Sequence, residues 1–202
     1  MMTLLLAVAA YLFGAVPFGL LVAKTQGVDI RAQGSGNIGA TNVFRVVGKG
    51  WGIFTFTLDA LKGFIPAFVF PRLGALVVEG YSEDWGVLFG LVAILGHTFP
   101  VYLKFKGGKG VATSAGLLLG VAPLAVGVGF LCWLATVLIS RYVSLASIVA
   151  ALVCAATVWV QGDKGLVVNV ALTLLAVLVV WLHRANVKRL LNGTENRFGK
   201  KK

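Results

Sequence analysis

VATSAGLLLGVAPLAVGVGFLCWLATVLIS, residues 111–140, decides how many times this chain crosses a membrane. The run carries no charge, and it is long for one membrane helix, which needs about 20 residues. Pro123 and glycines 116, 120, 127 and 129 suit a break or a tight hairpin inside it. The other candidate spans are residues 3–23, 52–70, 85–103, 143–160 and 165–182.

The flanking charges choose between one crossing and two. Loop 24–50 carries Lys24, Arg31, Arg45 and Lys49 against Asp29 alone. Loop 104–110 carries Lys104, Lys106 and Lys109, and Arg141 follows the long run. The tail holds Arg184, Lys188, Arg189, Arg197, Lys200, Lys201 and Lys202. The connection 71–84 is instead acidic, with Glu79, Glu83 and Asp84 against Arg72. Basic loops belong in the cytoplasm. A single crossing would put Arg141 and the whole basic tail outside, whereas two crossings put every basic cluster inside. The expected fold is therefore an all-α integral membrane protein with seven transmembrane helices. Its N-terminus is outside, its C-terminus is cytoplasmic, and the two short halves on either side of Pro123 are tilted or partly re-entrant.

Composition agrees. The 202 residues are 58% hydrophobic and 12% charged, with a mean hydropathy of +0.92, where soluble domains carry about a quarter charged residues. One membrane-embedded domain, 1–202, is expected. The opening apolar run lacks a basic start and a small-residue cleavage site, so it reads as a first membrane helix, not a removed signal. Cys132 and Cys154 lie in apolar stretches and read as packing residues. The net charge of +11 is explained by orientation and anionic ligands, without nucleic acid.

Three polar regions stand out. The first is GSGNIGATNVFR, residues 34–45. Glycine tolerates the turns that aim backbone N–H groups inward at an anion, and Arg45 adds a two-pronged grip on phosphate or carboxylate. The second is GHTFPVYLKFKGGKGVAT, residues 96–113. Its three lysines alternate with Gly107, Gly108 and Gly110 just before a helix start, a phosphate cradle in outline. It is not a Walker A loop, because Gly110 follows Lys109 where Ser or Thr is required. His97 in this run is either a structural hydrogen-bonder or a site residue. The third comprises RYVSLAS, residues 141–147, and HRANVKRLLNGTEN, residues 183–196. Ser144 and Ser147 suit a helix cap. His183, Asn186 and Arg189 recur at a spacing of three on one helix side. All three regions emerge on one membrane face and are expected to build one site.

Asp59 and Lys62 lie inside the second span, where charges are costly. Their spacing fits an ion pair on one helix face that is mainly structural or shapes the site from behind. Neither a carboxylate cluster nor a His/Cys group with ligand spacing is present, so no metal and no cofactor is expected. A GxSxG elbow and an obvious strong general base are also missing.

These motifs, together with DALKG at 59–63 and RYVSLASI at 141–148, resemble the PlsY family of bacterial membrane glycerol-3-phosphate acyltransferases. The similarity runs through essentially the whole chain, with the motifs in order. It implies an inner-membrane enzyme whose active site faces the cytoplasm. The implied reaction takes an acyl group from acyl-phosphate to position 1 of glycerol 3-phosphate, giving lysophosphatidic acid and phosphate. The resemblance also implies a soluble partner, PlsX, that supplies the donor. Ser35, Arg45 and Lys104 are expected at phosphate groups, with Asn37, Thr41 and Asn42 fixing the loop and hydrogen-bonding substrate and with Gly34 and Gly39 in the same substrate-binding loop. Gly107, Gly108, Lys109 and Gly110 line the second phosphate position, with His97 beside them. His183 and Asn186 position the glycerol hydroxyls, with Ser144 nearby. The rival reading is a transporter of a phosphorylated metabolite; the one-sided clustering of polar regions and the lack of a visible inverted repeat stand against it.

Overall fold

The computed structural model describes residues 1–82 and 84–199. Glu83, Lys200, Lys201 and Lys202, counted in the charge reading, lie outside the described residues. Among the described residues every regular element is helical. Six stretches among the described residues are long and apolar enough to cross a membrane: Met2–Thr25, Lys49–Ala75, Trp85–Leu103, Pro123–Ser140, Val143–Gln161 and Gly165–Leu182. Backbone contacts divide the chain into two compact units, Met1–Val121 and the residues from Ala122 onward.

The first unit holds α1 (Met2–Ala15), α2 (Phe18–Thr25), α3 (Ala40–Val46), α4 (Lys49–Phe64), α5 (Phe70–Ala75), α6 (Trp85–Thr98) and α7 (Val111–Val121). Residues 3–23, expected as one helix, are broken. Proline pushes the residue before it out of the helical region. Val16 accordingly adopts φ −58°, ψ 117°, and the helix restarts after Pro17. The second span also changes pitch. Pro66 has no N–H to give the Lys62 carbonyl, and a π-turn over Ile65–Val69 absorbs the fault.

Small residues let these helices approach closely, as apolar surroundings favour. Along α1 and α6, a Cβ on Gly14 would meet the Ala93 backbone and one on Gly96 the Tyr11 carbonyl. Along α4 and α7, Gly63 lies against Thr113 and Gly116 against Ala60 in the same way. At one end of the unit a small core of Val22, Ala23, Ile30, Ile38 and Val43 supports the loop between α2 and α3.

The second unit holds α8 (Pro123–Ser140), α9 (Val143–Gln161), α10 (Gly165–Leu182) and α11 (Arg184–Leu191). α8 packs on α9 and α9 on α10. Gly129 leaves room for Cys154, whose thiol donates to the Ala125 carbonyl at 3.2 Å. The cysteine thus fills packing space, as its apolar setting suggested.

The decisive run does break beside Pro123: α7 ends at Val121 and α8 begins at the proline. Its halves are unequal, however. α8 has 18 residues and is long enough to span. α7 has 11, about 16 Å of helix against a hydrocarbon core of about 30 Å.

Candidate active site

The first loop is built around Asn42. This residue is 2% exposed and lies in the first turn of α3. Its Oδ1 accepts the Ser35 N–H at 2.9 Å. Its Nδ2 donates to the carbonyls of Ile30 (3.2 Å), Gln33 (3.0 Å) and Asn37 (2.9 Å). Asn37 Oδ1 in turn accepts the Gly39 N–H at 2.8 Å. The amide of Asn42 is therefore spent inside the loop, holding it from beneath. Gly34 and Gly36 take positive φ, the backbone that lets the chain curl around that amide. Ser35, Thr41 and Arg45 are exposed on the loop and on α3.

The second loop lies over His97. Gly107 and Gly108 donate their N–H groups to the Thr98 and His97 carbonyls, each at 3.1 Å. A Cβ on Gly107 would strike the His97 carbonyl, and one on Gly108 would strike the His97 ring. Glycine is required here for close approach, which answers why the lysines need glycines between them. Lys104 and Lys106 are exposed, while Lys109 is half-buried. Lys104 and Phe105 both take positive φ as the chain reverses after the single 3₁₀ turn Val101–Leu103.

Between these loops the first unit holds a buried charged group. Lys62 Nζ lies 2.8 Å from Asp59 Oδ1, their side chains 1% and 3% exposed. His97 Nδ1 lies 3.6 Å from the same oxygen. Lys62 Nζ also donates to the Val16 carbonyl at 2.8 Å and faces the Phe18 ring at 5.5 Å. These groups line a narrow recess with Pro17, Gly19, Ile38 and Pro100. The i,i+3 spacing had indicated the ion pair; the reach of Lys62 to the α1–α2 break had no counterpart in the sequence reading.

The second unit carries its own polar centre. Glu195 Oε1 accepts Ser144 Oγ at 2.9 Å and Asn186 Nδ2 at 2.7 Å, and Oε2 accepts Arg189 Nε at 2.6 Å. Burial pushes this carboxyl up, but hydrogen bonds from Asn186, Arg189 and Ser144 outweigh it and hold the group below the ordinary glutamate range. The capping expectation for Ser144 and Ser147 is overturned. Tyr142 is the cap residue and no side chain caps the helix; Ser144 serves Glu195, and Ser147 bonds back to the Val143 carbonyl at 2.9 Å. His183 is 3% exposed. Its Nδ1 lies 2.8 Å from the Val179 carbonyl; a carbonyl only accepts, so Nδ1 carries the proton in that bond. Glu195 was missed by sequence reasoning, since one acid in a basic tail makes no pattern.

The arrangement suits anion handling. Two loops present hydroxyls and cations, and the N–H groups of Ser35, Gly36, Gly39, Gly107 and Gly108 are bonded within the loops and fix their shape. Among the described residues no group of three or more His, Cys, Asp or Glu side chains converges to hold a metal.

Comparison with known proteins agrees with this arrangement. The family model described as glycerol-3-phosphate acyltransferase matches residues 4–193. The glycerol-3-phosphate acyltransferase of Geobacter sulfurreducens is 46% identical over 195 residues, covering 96% of this chain and 97% of that protein. That of Aquifex aeolicus is 46% identical over 200 residues, covering 98% and 100%. Two crystal structures of PlsY, an integral membrane glycerol 3-phosphate acyltransferase, superpose well. Its glycerol 3-phosphate form has a TM-score of 0.89 at 44% identity, covering 98% of this chain and 96% of that one. Its lysophosphatidic acid form has a TM-score of 0.86 at 43% identity over the same shares. With nearly its whole length matched in sequence and in fold, this chain belongs to the glycerol-3-phosphate acyltransferase family.

Proposed function

We propose that this protein transfers an acyl group from acyl-phosphate to the 1-hydroxyl of sn-glycerol 3-phosphate, giving 1-acyl-glycerol 3-phosphate and inorganic phosphate. The observation that carries the reading is the fold-level match to PlsY in forms named for the acceptor and for the acylated product. Two cationic, glycine-rich loops in the first unit support it, since both substrates carry phosphate.

In this mechanism the acceptor hydroxyl oxygen attacks the acyl carbon, and the carbon–oxygen bond to the donor's phosphate breaks. The hydroxyl proton passes to the departing phosphate. An acyl-phosphate is already activated, so the protein contributes proximity and charge stabilisation. Ser35, Arg45 and Lys104 bind phosphate oxygens, with the backbone of Gly34 and Gly39, Thr41 and Asn37 shaping the first loop. Gly107, Gly108, Lys109 and Gly110 line the second phosphate position, where Lys109 supplies the charge and Gly107 and Gly108, their N–H groups bonded to the Thr98 and His97 carbonyls, supply the close approach. His183 and Asn186 orient the glycerol hydroxyls, and Ser144 acts through Glu195. The enzyme crosses the bacterial inner membrane seven times, N-terminus outside, and works from the cytoplasmic face. It takes its donor from the soluble partner PlsX and needs no nucleic acid.

The test uses purified protein in detergent, with glycerol 3-phosphate and one of three donors: acyl-phosphate, acyl-CoA or acyl carrier protein thioester. Ester and inorganic phosphate should appear together with acyl-phosphate alone, and Arg45→Ala should abolish both while leaving the protein monodisperse. Equal turnover of acyl-CoA would overturn the donor assignment. Phosphate release without an acceptor would replace transfer by hydrolysis.

A further inference from the structure

The buried charges of α4 have no part in the transfer chemistry above, yet they touch both loops' foundations. Burying an ion pair gives little net stability, because desolvation offsets the attraction. Lys62 does more than pair. Pro17 drives Val16 into an extended conformation, and the Leu20 N–H, which would bond Val16 in a continuous helix, bonds the Pro17 carbonyl at 3.0 Å instead. The Val16 carbonyl is thereby turned out of the helix, where it accepts the Phe18 N–H at 3.1 Å and Lys62 Nζ at 2.8 Å, the latter its tie to another element.

From that ammonium two chains of contact lead outward. On one side Nζ faces Phe18, and the next residue, Gly19, is pressed so closely on the Ile38 carbonyl that a Cβ would collide with it. Ile38 sits inside the first loop, between Asn37 and Gly39. On the other side Asp59 holds Nζ and lies 3.6 Å from His97 Nδ1. The His97 carbonyl accepts the Gly108 N–H, and its ring occupies the space a Gly108 side chain would need.

We propose that Lys62 is a positioning residue for acyl transfer: its ammonium, seated by Asp59, holds the Val16–Pro17 break and so keeps the 34–39 loop and the Gly107–Gly110 run in register. The role in turnover rests on the function proposed above; the role in holding the loops does not. Register matters because small misplacements of reacting groups are costly, a shift of about 1 Å being worth up to about 100-fold in rate.

The experiment combines Lys62→Met, the neutralised pair Asp59→Asn/Lys62→Met, Pro17→Ala, and Pro17→Ala with Lys62→Met. Each is read by thermal stability, by kcat and KM for glycerol 3-phosphate, and by thiol labelling at Gln33→Cys or Lys106→Cys. The labelling background carries Cys132→Ala and Cys154→Ala. The neutralised pair should keep its melting temperature within a few degrees, since no lone charge is left buried. Its kcat/KM should still fall at least tenfold, and both reporters should label several-fold faster. Pro17→Ala, which restores helix continuity, should show the same losses, with little further loss on adding Lys62→Met, because both remove one contact. A stable neutralised pair with parental kcat/KM and labelling would overturn the proposal, and so would additive losses in the combined variant. If no Lys62 variant folds, Pro17→Ala decides by the same readings. If the parent forms no ester, the functional reading fails, and the labelling rates alone decide whether Lys62 holds the loops.

Discussion

Removing the Glu195 carboxylate should loosen the second unit measurably. Three donors converge on it: Ser144 Oγ at 2.9 Å, Asn186 Nδ2 at 2.7 Å and Arg189 Nε at 2.6 Å. Glu195 is nearly buried, while the Arg189 side chain is about a third exposed. Hydrogen bonds to a charged group contribute about 1.5–3 kcal/mol each. The Arg189 bond is discounted to about 1 kcal/mol or less for its exposure. The Ser144 and Asn186 bonds share one oxygen and are not additive. Glu195→Ala should therefore cost about 3 kcal/mol, which for a chain of this size lowers the melting temperature by roughly 6–12 °C. The assay is thermal unfolding in detergent followed by a thiol-reactive dye at buried Cys154, in a Cys132→Ala background. The sign of the pH dependence follows from the direction of the shift. The carboxyl sits below its ordinary value of 4.5, so its contribution is complete above that pH and is lost as pH falls through the lower native value. Glu195→Gln should lack that acid limb. A melting temperature unchanged within 2 °C or so in Glu195→Ala, or an acid limb persisting in Glu195→Gln, would refute the reasoning.

Gly108→Ala should lower kcat/KM about tenfold or more, because the new methyl must displace the loop from the His97 ring. Gly50→Ala, whose Cβ meets nothing, should leave steady-state kinetics unchanged, and equal behaviour of the two would count against the close-approach account. Asn42→Ala removes one acceptor and the donors to three carbonyls, so it should cost roughly 2–3 kcal/mol of loop order at about 1 kcal/mol per neutral bond. Limited proteolysis should then cut the 30–39 loop faster; an unchanged cleavage rate would show that the loop holds without it.

Much of the fold was legible because membranes impose a coarse code. Apolar runs of about 20 residues marked the spans, and Pro123 marked the break between α7 and α8. Pro17 was visible too, but an apolar run on both sides hid the break at Val16, because hydropathy is blind to backbone bonding. The first loop was recognisable as glycine-rich and polar. Asn42 was expected to fix the loop and also to bond substrate; that its amide bonds Ser35, Ile30, Gln33 and Asn37 was not legible, since nothing local distinguishes an asparagine that binds its own loop from one that faces a ligand. The Asp59–Lys62 pair could be read from i,i+3 spacing, whereas the contact to Val16 spans 46 residues and depends on tertiary packing. Glu195 escaped because one acid in a basic tail makes no pattern, although Asn186 and Arg189 lie only 9 and 6 residues away and Ser144 alone, at 51, depends on the fold. Ser144 was misread because a serine near a helix start suits a cap locally, and only the fold supplies the carboxylate that claims it.

We propose that the two cationic, glycine-rich loops of the first unit bind phosphate and work from the cytoplasmic side of the membrane. Single cysteines at Ser35 and Lys106, in a cysteine-free background, can be probed with a membrane-impermeant maleimide. Both should label in inside-out vesicles and neither in intact cells with the envelope opened. Labelling of the two positions from opposite sides, or of both from the outer side, would contradict the account.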